Sequence, residues 1–158
     1  MAEQRIGTAF DAHRLVAGRP LVLGGVVVPF DLGLDGHSDA DVVCHALCDA
    51  SLGAVGLGDI GRMFPGTAEW AGAASIDLLR TAWTRIVADG WSLVNADCIV
   101  IAQAPRLVPF LETMRERTAA VMATTSDRVS IRGTTTDGLG FTGRGEGIAA
   151  QAVVLLSR

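Results

Sequence analysis

The stretch Ser38-Asp39-Ala40-Asp41-Val42-Val43-Cys44-His45-Ala46-Leu47-Cys48-Asp49 carries Asp41, His45 and Asp49 at spacings i, i+4 and i+8. Residues so spaced share one face of a helix. The local pattern predicts a helix start, with Ser38 as N-cap and Asp41 as an acidic capping-box partner three residues on. Acids in a first turn also suit the positive end of the helix dipole. A fold built on this stretch either leaves the three groups in water as a polar stripe or assembles a site around them. Cys44 and Cys48 flank His45 and read as small buried hydrophobes, because no CxxC knuckle accompanies them.

The flanking segments set the fold class. Ile6 to Arg14 reads as a strand, with Asp11 and His13 two apart and so on the same side. That pair is either two legs of a metal site or a salt bridge at a sheet end. Leu21-Val22-Leu23 and Val26-Val27-Val28 around Gly24-Gly25 predict a hairpin. Asp31 to His37 reads as a Gly-rich loop, and the central helix is expected to end near Val55. Gly58 to Gly66 reads as a loop, and residues 66–73 as a mobile one. A second helix is expected over Ile76 to Ala88 with Ser75 as cap, and a third over Val108 to Thr124. Strands are expected at Leu93 to Ala102, Val129 to Arg132 and Ile148 to Leu156, with Cys98 to Ile101 buried on both faces. The pattern predicts an α+β fold, a mixed β-sheet with helices packed on one face, in one domain over residues 1–158.

Composition removes several functions. All 13 basic residues are arginine. That excludes a Schiff-base lysine and a P-loop lysine, so any phosphate must be held by arginine, backbone amides, hydroxyls or metal. A net charge of -4 argues against a general nucleic-acid or acidic-membrane binder. No apolar run is long enough to span a membrane, and the three cysteines suit reduced thiols, so a cytoplasmic location is expected. At 49% apolar in 158 residues, the surplus of apolar surface points to a homo-oligomer. Gly138-Leu139-Gly140-Phe141-Thr142-Gly143 fits GxGxxG by letter, but the chain runs on into a strand instead of opening a dinucleotide-binding helix.

Three segments offer metal-type groups. Asp11, His13 and His45 make the two-imidazole, one-carboxylate set of a catalytic zinc, with a fourth position open. Asp49 and Asp41 are expected to orient the His45 ring as acceptors. The helix start at His37-Ser38 is expected to offer free backbone N–H groups to an anion. The Thr134-Thr135-Thr136-Asp137 turn supplies hydroxyls and a hard oxygen ligand for Mg²⁺. These groups suit phosphate chemistry by positioning and charge neutralisation.

The residues Phe10-Asp11-Ala12-His13, His37 to Ala50, Leu57-Gly58-Asp59-Ile60-Gly61, Ala102-Gln103-Ala104-Pro105 and Thr134 to Gly147 resemble the 2-C-methyl-D-erythritol 2,4-cyclodiphosphate synthase family. The resemblance runs from about Arg5 to the C-terminus. It implies cyclisation of 4-diphosphocytidyl-2-C-methyl-D-erythritol 2-phosphate with release of CMP, in the non-mevalonate route to isoprenoids. It implies Zn²⁺ on Asp11, His13 and His45, and Mg²⁺ or Mn²⁺ with the substrate at Asp137. His37 and Thr135 would stabilise the transition state. Ser38 would bind phosphate, and Asp59, Ile60 and Gly61 the erythritol part. Ala102, Ala104, Arg106, Leu107, Val108, Thr134 and Thr136 would frame the cytidine and its phosphates, with Phe141 and Arg144 near them. The family implies a homotrimer with each site between two subunits. Asp137 stands where the family usually has Glu, Arg106 where lysine is common, Gly66 where an acid is common, and Gln151 in place of a glutamate near the trimer axis. A zinc-dependent phosphohydrolase and a non-catalytic nucleotide- or isoprenoid-binding module are the competing readings.

Overall fold

The computed structural model describes residues 2–158. In chain order the strands are β1 (Gln4–Ala17), β2 (Leu21–Leu23), β3 (Val26–Val28), β4 (Leu32–Leu34), β5 (Ser92–Ile101), β6 (Val129–Thr134) and β7 (Gly147–Ser157). The helices are α1 (Val42–Val55), α2 (Ile60–Met63), α3 (Ser75–Ala88), α4 (Leu111–Val121) and α5 (Gly140–Gly143). Five strands form one sheet in the order β4-β1-β7-β5-β6, and β2 and β3 form the expected hairpin. β5 and β6 run parallel and the other pairings of the large sheet are antiparallel, so the sheet is mixed.

The two faces of the sheet differ. On β7, Ile148, Ala150, Ala152, Val154 and Leu156 are buried, on the side that α1 covers. The alternate residues face the other way, as the strand period of two requires. There Ile6 is 72% exposed and Phe10 58% exposed, and Val153 and Gln151 are also exposed. Ile99 and Ile101 lie on this open side and are only partly buried, while Cys98 and Val100 are buried. The apolar run Cys98–Ile101 is therefore buried on one face, not two.

Helix α1 is the centre of the molecule. Along its length only Asp49, Gly53 and Val55 escape full burial. A helix that is apolar nearly all round belongs inside a core. Its small residues let it lie close on the sheet. A Cβ at Gly7 of β1 would fall 1.9 Å from the Ala50 carbonyl oxygen. Gly56, in the left-handed region at φ 75°, ends α1 and returns its N–H to Leu52 and Gly53.

The start of α1 departs from the local pattern. The N-cap is Asp41, not Ser38, and the first helical residue is Val42. Asp41 Oδ1 accepts from the N–H groups of Val43 and Cys44 at 3.0 and 3.1 Å. Its two carboxylate oxygens also accept from Gly24 and Gly25 N–H at 2.9 and 2.7 Å. The buried carboxylate thus ties the hairpin turn to the helix. Three smaller differences follow the same logic of tertiary pairing. The loop of residues 31–37 contains β4, which pairs with the end of β1. The loop of residues 58–66 contains α2, capped by Asp59, whose Oδ1 accepts from Arg62 N–H. α3 begins at Ser75, one residue earlier than expected, with Ala74 at the cap position.

Candidate active site

β1 and α1 bring together the three groups singled out by residue type. Asp11 and His13 lie on the helix-covered side of β1, and His45 projects from the first turns of α1. His45 Nδ1 is 3.0 Å from Asp11 Oδ2, and His13 Nε2 is 3.1 Å from the same oxygen. The two ring nitrogens are 3.3 Å apart. A tetrahedral zinc with ligands at roughly 2.0–2.2 Å spaces them about 3.3–3.6 Å apart, so the triangle is close to the size of such a shell. Asp11, His13 and His45 form the group of this kind found among the described residues.

The outer ring nitrogens are held by other atoms. His13 Nδ1 lies 2.6 Å from the Asp35 carbonyl oxygen. A carbonyl can only accept, so Nδ1 carries the hydrogen and Nε2 turns its lone pair toward Asp11 when the ring is neutral. His45 Nε2 lies 2.9 Å from Ser75 Oγ and 3.1 Å from Ser38 Oγ. When His45 also turns a lone pair inward, two lone pairs and a carboxylate oxygen converge at one point, an arrangement that repels itself unless a cation sits between them. Burial pushes the Asp11 carboxyl up, but the bonds to His13 and His45 outweigh it and hold the group well below the usual carboxylate range. The Asp11 bond raises the His13 pKa against the opposing effect of burial.

Asp41 and Asp49 do not support His45. Asp41 is spent on the four backbone amides described above. Asp49 Oδ1 accepts from Ile60 N–H at 2.6 Å, which fixes the start of α2. The shared helix face brings the residues near one another, yet tertiary partners claim the carboxylates. The N–H groups at the start of α1 are likewise occupied by Asp41, so the expected anion site at a free helix end is absent there. Ser38 is buried beside the His45 ring and also accepts from Ala40 N–H at 3.1 Å.

A cavity of about 260 Å³ opens over the triangle, lined by Asp11, His13, His37, Ser38 and His45. Its other wall is Ile60, Gly61, Phe64, Gly66, Trp70 and Leu78. His37 Nε2 bonds to the Thr67 carbonyl oxygen at 2.8 Å. Asp59 caps α2 and is not among the lining residues. Phe64 and Trp70 meet edge to face with centroids 5.0 Å apart, so the loop of residues 66–73 supplies an aromatic wall. The sequence reads that loop as mobile; it contains a short 3-10 turn, Ala68–Trp70, and the contact of its Trp70 with Phe64 is a feature that the sequence reading missed.

A second cavity, of about 420 Å³, is lined by Ala102, Gln103, Pro105, Arg106, Leu107, Val108, Leu111, Arg132, Gly133, Thr134 and Thr135. Ala104, in the turn just after Ala102, is not among them. The two cavities share no residue. Thr135 Oγ1 donates to Asp137 Oδ1 at 3.2 Å, and both side chains are exposed. Asp137 sits in the left-handed region at φ 52°. Thr136 Oγ1 meets Thr142 Oγ1 at 3.0 Å, and Phe141 lies on the open side of the sheet next to Thr136 and Asp137. Arg144 pairs with Glu146 at 2.7 Å.

The layered α+β fold and its open three-ligand centre define a family. The chain belongs to the YgbB family, whose model matches residues 4–157. Its curated relatives include the 2-C-methyl-D-erythritol 2,4-cyclodiphosphate synthase of Moorella thermoacetica, 57% identical over 96% of this chain and 94% of that one. Among solved structures, the bifunctional IspDF from Campylobacter jejuni matches with a TM-score of 0.95 and 40% identity. The match covers 99% of this chain but 43% of that longer one. A 2C-methyl-D-erythritol-2,4-cyclodiphosphate synthase in its CDP-bound form matches with a TM-score of 0.88 and 38% identity, over 96% of this chain and 99% of that one.

Proposed function

We propose that the chain converts 4-diphosphocytidyl-2-C-methyl-D-erythritol 2-phosphate into 2-C-methyl-D-erythritol 2,4-cyclodiphosphate and releases CMP. It is a metal-dependent phosphorus–oxygen lyase of isoprenoid precursor synthesis. The observation that carries the chemistry is the triangle of acceptor atoms on Asp11, His13 and His45, each 3.0–3.3 Å from the next.

In this reading Asp11, His13 and His45 hold one Zn²⁺, which neutralises phosphate charge when bound. The substrate's 2-phosphate oxygen attacks its own β-phosphorus. The bond from that phosphorus to the bridging oxygen breaks, and CMP carries the electron pair away. No protein nucleophile is needed, so the chain's work is positioning. His37 on one side and Thr135 on the other stabilise the transition state as charge moves. Ser38 holds a phosphate beside the metal, and Asp59, Ile60 and Gly61 seat the erythritol part. The apolar wall of Ile60, Phe64 and Leu78 keeps water from competing with the internal phosphate.

The cavity lined by Ala102, Arg106, Leu107, Val108 and Thr134 takes the cytidine, with Ala104, Thr136, Phe141 and Arg144 around its rim. The CDP-bound relative supports this assignment. Asp137 holds Mg²⁺ or Mn²⁺ on the diphosphate. A homotrimer with sites between subunits is supported by the exposed apolar sheet face, with Ile6 and Phe10 uncovered. It is also supported by the separation of the two cavities within one chain. The three cysteines are free and buried, which suits one domain working in the cytoplasm. No helix among the described residues is long and apolar enough to cross a membrane.

The test is direct. The purified protein with zinc and Mg²⁺ is given the cytidylyl substrate in H₂¹⁸O. CMP release with ¹⁸O in neither product supports cyclisation. Label in the released phosphate would instead establish a hydrolase, and no CMP at all would remove both.

A further inference from the structure

The metal triangle works only if His45 turns Nδ1, as a lone pair, toward Asp11 and His13. Nothing in the triangle enforces that. With the hydrogen on Nδ1 instead, His45 would donate it to Asp11 Oδ2 at 3.0 Å, and the metal position would be blocked. The choice is made on the far side of the ring.

Two hydroxyls face His45 Nε2 there, Ser75 at 2.9 Å and Ser38 at 3.1 Å. A hydroxyl can give or take, so neither fixes the tautomer alone. Ser75 is constrained by a third group. Its hydroxyl donates to Asp39 Oδ1, and the other Asp39 oxygen accepts from Ser75 N–H at 3.1 Å. A carboxylate has no hydrogen to give. Ser75 has one hydroxyl hydrogen, and Asp39 takes it. Ser75 Oγ is then left as an acceptor toward His45, whose hydrogen must sit on Nε2. Ser38 completes the pattern: its oxygen accepts from Ala40 N–H, and its own hydrogen can go to Ser75 Oγ at 3.1 Å.

We propose that Asp39 and Ser75 are positioning residues that hold His45 in the Nε2–H tautomer, with Nδ1 free for metal. The proposal rests on the zinc reading above and extends it beyond the three ligands. Ser75 is the first residue of α3 and only 1% exposed, so this is a buried link from α3 to the α1 imidazole across 30 residues of chain. Asp39, two residues before the helix cap, polarises that link without touching the ring. Groups that orient metal-bound imidazoles in this way typically change metal affinity by about 10–100-fold.

The experiment uses the full chain. Wild type, Ser75→Ala, Ser75→Thr and Asp39→Asn are titrated with Zn²⁺ against a chromophoric chelator. The His45 ring nitrogens of the metal-free proteins are read by ¹⁵N NMR at a pH where the ring is neutral. Wild type is expected to bind one zinc and show the hydrogen on Nε2. Ser75→Ala is expected to bind zinc about 10–100-fold more weakly and to move the hydrogen toward Nδ1. Ser75→Thr keeps the hydroxyl and restores both readings. Asp39→Asn gives a smaller loss in the same direction, and it carries the test if Ser75→Ala does not fold. A capping role alone would lower Tm and leave tautomer and zinc affinity unchanged, which overturns the proposal. Wild type that binds no zinc overturns the zinc reading itself, so the two failures are distinguishable.

Discussion

The metal pocket and the threonine turn hold the polar groups of one proposed site under opposite conditions. In the pocket, β1, α1 and the start of α3 each supply a group, and both ring nitrogens of His13 and of His45 have a partner. In the turn, Thr135 and Asp137 are exposed and bond mainly to each other. The pocket is complete within one chain because burial requires each polar atom to be paired. The turn is exposed in the single chain, and in the proposed trimer it would meet substrate and a neighbouring subunit. Substitutions in the pocket should therefore change metal content and folding, and those in the turn should change turnover alone.

The largest expected effect is at the shared ligand. His45→Ala leaves two metal ligands and opens a hole in the buried face of α1. Zinc content should fall to near zero, and CMP release should drop on the order of 1,000-fold or more. Metal analysis of the purified variant beside a CMP assay checks this. Retained stoichiometric zinc would break the contrast at its strongest point.

Thr135→Ala is the matching substitution in the turn. CMP release should fall about 100-fold, as for the loss of one transition-state donor. Zinc content should not change, and stability should stay within about 0.5 kcal/mol, as for an exposed site. A drop in zinc content would mean that the two regions are coupled within the single chain.

Gly7→Ala tests the packing beneath the pocket. The added Cβ meets backbone, the Ala50 carbonyl oxygen at 1.9 Å, and no flexible side chain can move aside. α1 must shift away from β1, and His45 moves from Asp11 and His13 with it. The expected cost is about 1–3 kcal/mol in urea unfolding, with weaker zinc binding alongside. Stability lost with zinc affinity intact would show that the pocket does not depend on the closeness of α1 and β1.

These substitutions also mark what could be read from sequence. The end of α1 at Val55, the Gly24-Gly25 hairpin and the same-side placement of Asp11 and His13 follow from local periodicity, and all are present. The cap of α1 was misjudged because Asp41 is fixed by Gly24 and Gly25, 16 and 17 residues away, and no local rule includes them. Asp49 was assigned to His45 by helical spacing, and a tertiary N–H from Ile60 took it instead. Ser75 reads in sequence only as a possible cap. Its role beside His45 comes from a contact between α1 and α3 that spacing cannot supply. The open sheet face was hidden in Cys98–Ile101, where an apolar run on a half-open sheet looks the same as one buried on both faces.

The smallest effect concerns Asp49, on the pocket side of the comparison. Burial pushes its carboxyl up, and the Ile60 N–H bond only partly pulls it back. With its folded pKa raised, the protonated form favours folding. That contribution is fully present below the unfolded value of about 3.9 and is lost as the pH rises through the folded value. Asp49→Asn keeps an oxygen for Ile60 N–H and removes the buried charge. Its Tm relative to wild type should therefore be more favourable at pH 7 than at pH 4. Because the group is partly solvated, the change should be about 2 °C or less. Thermal melts at the two pH values decide it. A difference independent of pH would place Asp49 with the exposed carboxylate of Asp137 in the turn and remove it from the buried frame of the metal pocket.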